Sequence, residues 1–161
     1  MWWMALTTAL ADPVERVVVF AGDRIVTQTD VAFEAFFSPR DLSPVPAFED
    51  ESYTVEDKLV DIALARALAG DLVIFRPSDA EVRARRDAFL ASFAEPEEGR
   101  RRLADWGFDG EEFLGFLYSR MVAERCVLRS VVASTSGADW PERYQAWRSE
   151  LRRRAPVRRA P

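Results

Sequence analysis

The sequence predicts a mainly α fold: a small helical domain that opens with a short N-terminal β-hairpin. Three observations carry this. Apolar residues recur at three- and four-residue spacing over most of the chain. Helix-opening signals, a Ser, Thr or Asp followed three residues later by a carboxylate, stand ahead of several of these apolar runs. Strand-like patterning is confined to residues 14–27.

In residues 14–27 (VERVVVFAGDRIVT) an apolar run, a turn at Ala21-Gly22-Asp23-Arg24 and a second apolar run form the hairpin signal, with Gly22 supplying the turn. Thr29 is expected to cap a helix running to Phe37, with Asp30 in its first turn, where a negative charge suits the helix dipole. Pro39, Pro44 and Pro46 interrupt the pattern, so residues 38–53 read as a loop with an acidic end. Thr54 opens the next helix, whose Leu59, Val60, Ala63, Leu64, Ala67 and Leu68 make one apolar face, and Gly70 ends it. After the brief apolar run 72–75, Ser78 and Glu81 form a capping box for a helix carrying Val82, Phe89 and Phe93, which Pro96 closes.

A short helix then runs to Trp106 and stops at Gly107. Asp109 with Glu112 repeats the capping box and opens the longest helix, to about Val132, with a wide apolar stripe of Phe113, Phe116, Leu117, Met121, Val127, Leu128 and Val131. Residues 134–137 are a linker. A last helix, about 139–154, has proline in its first turn, and its Trp140, Tyr144, Trp147 and Leu151 make an aromatic seam that has to be buried against something. Beyond it, Val157 reads as part of a frayed end or of a short edge strand.

A length of 161 residues favours one domain, taken as 12–161, and 48% hydrophobic with 30% charged residues is the profile of a globular protein. The formal charge of −5 does not invite nucleic acid. The chain has no histidine, which excludes Ser-His-Asp and Cys-His nucleophilic sites, His-containing zinc sites and histidine general bases. The single cysteine, Cys126, lies in an apolar helical stretch and reads as a buried, inert thiol. No stretch reaches the roughly 18–20 apolar residues of a spanning helix, so no stable membrane span is expected. Residues 1–11 (MWWMALTTALA) read as the end of a secretory signal, with Ala9-Leu10-Ala11 as the small-x-small cleavage pattern, although no Lys or Arg precedes Arg16. A start codon further upstream would supply the missing basic residues. The competing reading is an apolar arm packed on the domain or lying on a membrane surface.

The order and spacing of these elements resemble SurA-type periplasmic chaperones. The hairpin ending in DRIVTQTDV is similar to the opening of that family, with Asp30-Val31 on its Asp-Val. VEDKLVDIAL, from Val55 to Leu64, matches its next helix; IFRPSDAEV, from Ile74 to Val82, matches an apolar tripeptide followed by Ser-Asp-x-Glu-Val; and Trp106-Gly107-Phe108 precedes the long helix as an aromatic-Gly-aromatic motif does there. The resemblance covers residues 14–132 and extends to the last helix, which in this family folds back onto the N-terminal helices. It implies an exported, periplasmic protein of a Gram-negative-type bacterium, without cofactor or metal, that binds unfolded or outer-membrane client polypeptides. The parvulin-type prolyl isomerase domain of the family has no room between residues 133 and 138, and its paired histidines have no counterpart. A non-catalytic domain is therefore expected.

Peptide-binding candidates follow from the aromatics. Phe36 and Phe37 are adjacent, so a helix cannot direct both to one side. Phe113 and Phe116 widen their stripe beyond what one neighbour covers, and Phe48 lies in the proline-rich loop. Most of the aromatics at helical spacing are expected to be core. Asp57, Asp61, Glu111 and Glu112 read as capping or solvated-face carboxylates rather than an acid/base pair, and the C-terminal arginines as charges favourable to a helix end. The alternative function is a fixed adaptor or structural subunit of a cell-envelope assembly with one dedicated partner.

Overall fold

The computed structural model describes residues 15–49, 53–133 and 139–160. The segment read as a signal, 1–11, and the linker 134–137 lie outside the described residues. Strands β1 (Val17–Ala21) and β2 (Arg24–Thr27) form the hairpin, and Gly22 turns it at a φ of +58°, a conformation that a side chain would resist. Val19, Ala21 and Val26 point into the core, while Phe20 and Ile25, paired directly across the strands, point outward. A third strand, β3 (Val157–Arg159), pairs antiparallel with the other edge of β1 in the order β2-β1-β3. Of the two readings for Val157, the strand is the one that forms.

Helix α1 (Gln28–Phe37) begins earlier than the expected cap at Thr29. Thr27 is the cap: its hydroxyl accepts from the Asp30 amide at 3.2 Å, and Asp30 Oδ2 accepts from the Thr27 amide at 2.8 Å. Thr29 has Ala32 three residues on, which cannot return the bond, so the reciprocal pair wins. The segment read as loop holds a 3-10 turn at Ser38–Arg40 and a short helix α2 (Pro46–Glu49). The prolines that end a long helix also begin short ones, and burial of Val45 and Phe48 fastens this one down.

The remaining helices start where their caps predict, except for one that has no side-chain cap and opens on Pro96, the residue expected to close the helix before it, which ends at Ala91 instead. They are α3 (Val55–Ala69) after Thr54, α4 (Asp79–Ala91) after Ser78, α5 (Pro96–Asp105), α6 (Gly110–Ala133) after Asp109 and α7 (Trp140–Arg154) after Asp139. A 3-10 turn at Val73–Phe75 joins α3 to α4. The fold is mainly α, with the C-terminal helix packed back on the N-terminal elements.

At 1.5 Å per residue α6 is about 36 Å long, and it passes through two cores in turn. Its N-terminal half puts Phe113 and Leu117 among Phe33 and Phe37 of α1 and Val82, Phe89 and Leu90 of α4. Its C-terminal half puts Ala123, Val127 and Val131 against the sheet, α3 and the α7 residues Tyr144, Trp147 and Leu151. Among the described residues, no helix is long and apolar enough to cross a membrane.

Candidate functional site: an aromatic groove beside a buried ionic network

Residues 113, 117, 120, 124, 127 and 131 of α6 fall at steps of four and three, the spacing of a core-facing stripe. Two of them are charged. Arg120 and Glu124 sit at the boundary between the two cores, and both are sealed from water. Arg120 Nη1 donates to Glu34 Oε1 and Oε2 at 2.9 and 2.8 Å, and its Nε donates to Glu124 Oε1 at 3.2 Å. Arg85 of α4 donates to both oxygens of Asp41, at 2.8 and 2.5 Å, and also to Glu124. Ser38 and Ser43 hydroxyls donate to Glu34 and Glu124 at 2.5 and 2.8 Å. The Arg120 guanidinium also lies over the Phe37 and Phe48 rings, at 5.5 and 5.4 Å, one ring from each core.

Three carboxylates here share two guanidinium groups. Burial pushes the Asp41 carboxyl above the ordinary carboxylate range; Arg85 and Arg120 oppose the rise and Glu124 adds to it.

A second ionic cluster clamps α7 to α3. Asp61, fully buried, accepts from the Tyr144 hydroxyl at 2.9 Å and from Arg152 Nη2 at 2.7 Å, and pairs with Arg148 at 2.8 Å. Asp57 pairs with Arg148 and Arg152 at 2.7 and 3.1 Å. Burial raises the Asp57 carboxyl, but Arg148, Arg152 and the Thr54 hydroxyl together hold it below its ordinary range. The expectation of capping and solvated-face roles is corrected for Asp61, an interior group on the face of α3 that α7 covers. It is corrected too for Arg148 and Arg152, whose partners are carboxylates of α3 rather than the end of their own helix. Glu112 keeps the capping role, its Oε2 accepting from the Asp109 amide at 3.1 Å.

Each buried carboxylate accepts from at least one guanidinium, so these carboxylates form structural clamps. Among the described residues, no group of three or more acidic or cysteine side chains is placed to hold a metal ion. Cys126 is buried, with its Sγ 3.9 Å from Ser130 Oγ, and burial pushes its thiol up.

One of several surface clefts is a groove of about 530 Å³ where α1, α4 and α5 meet, floored by Phe36, Phe93 and Trp106. The rings lie close, with Phe36 6.2 Å from Phe93 and 6.0 Å from Trp106. Arg40 leans over the floor, its Cζ 5.0 Å from the Phe36 centroid and 5.1 Å from that of Phe93. Arg40 Nη1 donates to the Phe36 carbonyl at 2.8 Å. Glu98, Arg102 and Asp105 form the rim, Glu98 paired with Arg102 at 3.8 Å.

The five peptide-binding candidates divide accordingly. Phe36 lines the groove. Phe37 and Phe113 are interior rings, 0% and 1% exposed, which offer no surface to a ligand; with Phe116 they belong to the aromatic core. Phe116 is half-buried, its ring 5.0 Å from Phe37 and 6.1 Å from Phe113. Phe48 is buried in the other core, against Tyr144. For Phe113 and Phe116 the physical reason is that α6 has neighbours on both sides of its stripe, so the width read as surplus is covered. Sequence reasoning missed Phe93, Trp106 and Arg40. The available signal was Arg40 four residues beyond Phe36, the spacing that stacks side chains on one helical face. A search of protein-family models and of curated proteins finds no match to this chain.

Proposed function

We propose that this chain is a non-catalytic, chaperone-like domain of the cell envelope that binds unfolded or apolar polypeptide segments, reversibly and without nucleotide. The observation that carries this reading is the groove: three half-buried aromatic rings lining an opening between helices that bury most of their other aromatics. Ligand pockets combine an apolar, aromatic floor with convergent polar groups, and here Arg40, Glu98, Arg102 and Asp105 surround the rings. Exposed Leu42, 85% accessible, and the exposed run Leu72, Val73 and Ile74 add apolar surface of the kind that marks interaction sites. The envelope location rests on the small-x-small pattern at Ala9-Leu10-Ala11 and on the SurA-type order of elements.

The test is whether the purified protein slows aggregation of several unrelated unfolded proteins, and whether Trp106→Ala with Phe36→Ala weakens that effect while the fold persists. Protection of many substrates, reduced in the double variant, supports a general holdase. No protection of any of them, together with recovery of a single stoichiometric partner, would establish the fixed-adaptor alternative instead.

A further inference from the structure

The groove carries a charge preference, and it follows from how Arg40 is held. A guanidinium has two faces and three edges. One face of Arg40 lies against Phe36 and Phe93, and Nη1 is committed to the Phe36 carbonyl. Among the described residues, no carboxylate lies within ion-pairing distance of Arg40, unlike Arg85, Arg120, Arg148 and Arg152, each paired with two acids. Nε and Nη2 are left together on one edge, the fork that a carboxylate engages with two parallel hydrogen bonds. Ring stacking and the carbonyl bond fix the orientation in advance, which lowers the entropic cost of pairing.

We propose that the groove selects polypeptide segments in which an acidic side chain lies next to an aromatic one, the carboxylate pairing with Arg40 and the ring resting on Phe93 and Trp106. This deepens the polypeptide-binding reading and rests on it. An extended segment puts residues i and i+2 on the same side, roughly 6.5 Å apart, a span comparable to the ring-to-ring distances of the floor. Asp105 on the rim opposes a second negative charge, so one carboxylate is preferred over two.

The probes are N-acetylated, C-amidated peptides labelled for fluorescence polarisation, carrying Phe-x-Asp, Phe-x-Asn or Phe-x-Lys in one neutral context. On the wild-type protein the Asp peptide should bind about tenfold more tightly than the Asn peptide, the scale of one charge-assisted hydrogen-bonded pair, with the Lys peptide weakest. Arg40→Met keeps the apolar stem and should erase the Asp-to-Asn difference. Equal affinity for Asp and Asn peptides overturns the charge preference and leaves the polypeptide-binding reading standing. Absence of binding by all three overturns both. A gain only when the Asn peptide carries a free C-terminal carboxylate would move the specificity to chain ends and overturn the side-chain assignment.

Discussion

Arg120 reaches 86 positions back along the chain to grip both carboxylate oxygens of Glu34 with one nitrogen, and neither side chain meets water. Because α1 lines one wall of the groove through Phe36 and Arg40 follows at its end, this interior pair fixes the helix from which the groove is built.

The pair's removal is the first prediction. Arg120→Met leaves Glu34 without a guanidinium in a dry interior and should cost about 3–5 kcal/mol, whereas replacing both partners with apolar residues of similar volume should recover much of the loss. Urea unfolding of the single and double variants measures both. A loss under about 1 kcal/mol for Arg120→Met would place water at the pair.

The second prediction concerns pH. The Asp41 carboxyl is raised on folding, chiefly by burial, so the folded chain holds that proton more tightly than the unfolded one. Its contribution to stability is complete below the ordinary carboxylate value and declines as pH climbs through the raised one. Asp41→Asn removes this decline. Urea midpoints from about pH 4 to 8 should show wild type losing ground to the variant with rising pH and then running parallel to it. A difference that stays constant across the range contradicts the sign.

Trp147 supplies the third. It is 8% exposed and belongs to the core formed by the sheet, α3 and α6. Trp147→Ala should cost about 3–5 kcal/mol and lower the thermal midpoint on the order of 10 °C. An unchanged midpoint would mean that α7 is dispensable to the fold.

The fourth uses a close approach. A methyl group at Gly99 would come within 2.8 Å of Phe93 Cδ2 and 2.9 Å of Leu90 Cδ2. Gly99→Ala gains helix propensity of about 0.5–1 kcal/mol, but overpacking of this order costs about 1–3 kcal/mol, so the net effect should be destabilising. Because Phe93 floors the groove, peptide affinity should fall as well. A stabilised variant with unaltered binding would show that the two helices can separate freely.

Most elements were legible in the sequence because their boundaries are local. Ser78 with Glu81 and Asp109 with Glu112 satisfy backbone groups within four residues of chain, and no distant partner can change that. The α1 start was misread by two positions because Thr27 and Thr29 both qualify as caps, and only the return bond from Asp30 decides between them. The ionic clamps are less legible: Asp57 and Asp61 read as capping or solvated-face carboxylates and the C-terminal arginines as helix-end charges, while Glu34 within VAFEAFF and Arg120 and Glu124 on an apolar stripe are the visible signs of buried charge. What the sequence lacks is the pairing: Glu34, Arg85 and Arg120 come from three helices, and their neutralisation exists only once those helices meet. The groove was half legible for the same reason. Phe36 stood out, but Trp106 and Phe93 become its companions only through the packing of α4 and α5.

The sheet order β2-β1-β3 has a consequence for the time course of synthesis. Every buried residue of the aromatic core lies between positions 33 and 117, so a ribosome supplies all of it well before the last helix emerges. The other core needs Tyr144, Trp147 and Leu151, and its sheet needs residues 157–159 beside β1, made far earlier. During translation Val19, Ala21 and Val26 can meet Val60, Leu64 and Ala65 of α3 early, but their cover is completed only by a segment more than a hundred residues downstream. The nascent chain is thus for a time a hairpin with one open strand edge and a part-covered core, attached to a finished aromatic half, and is itself in need of protection until β3 arrives.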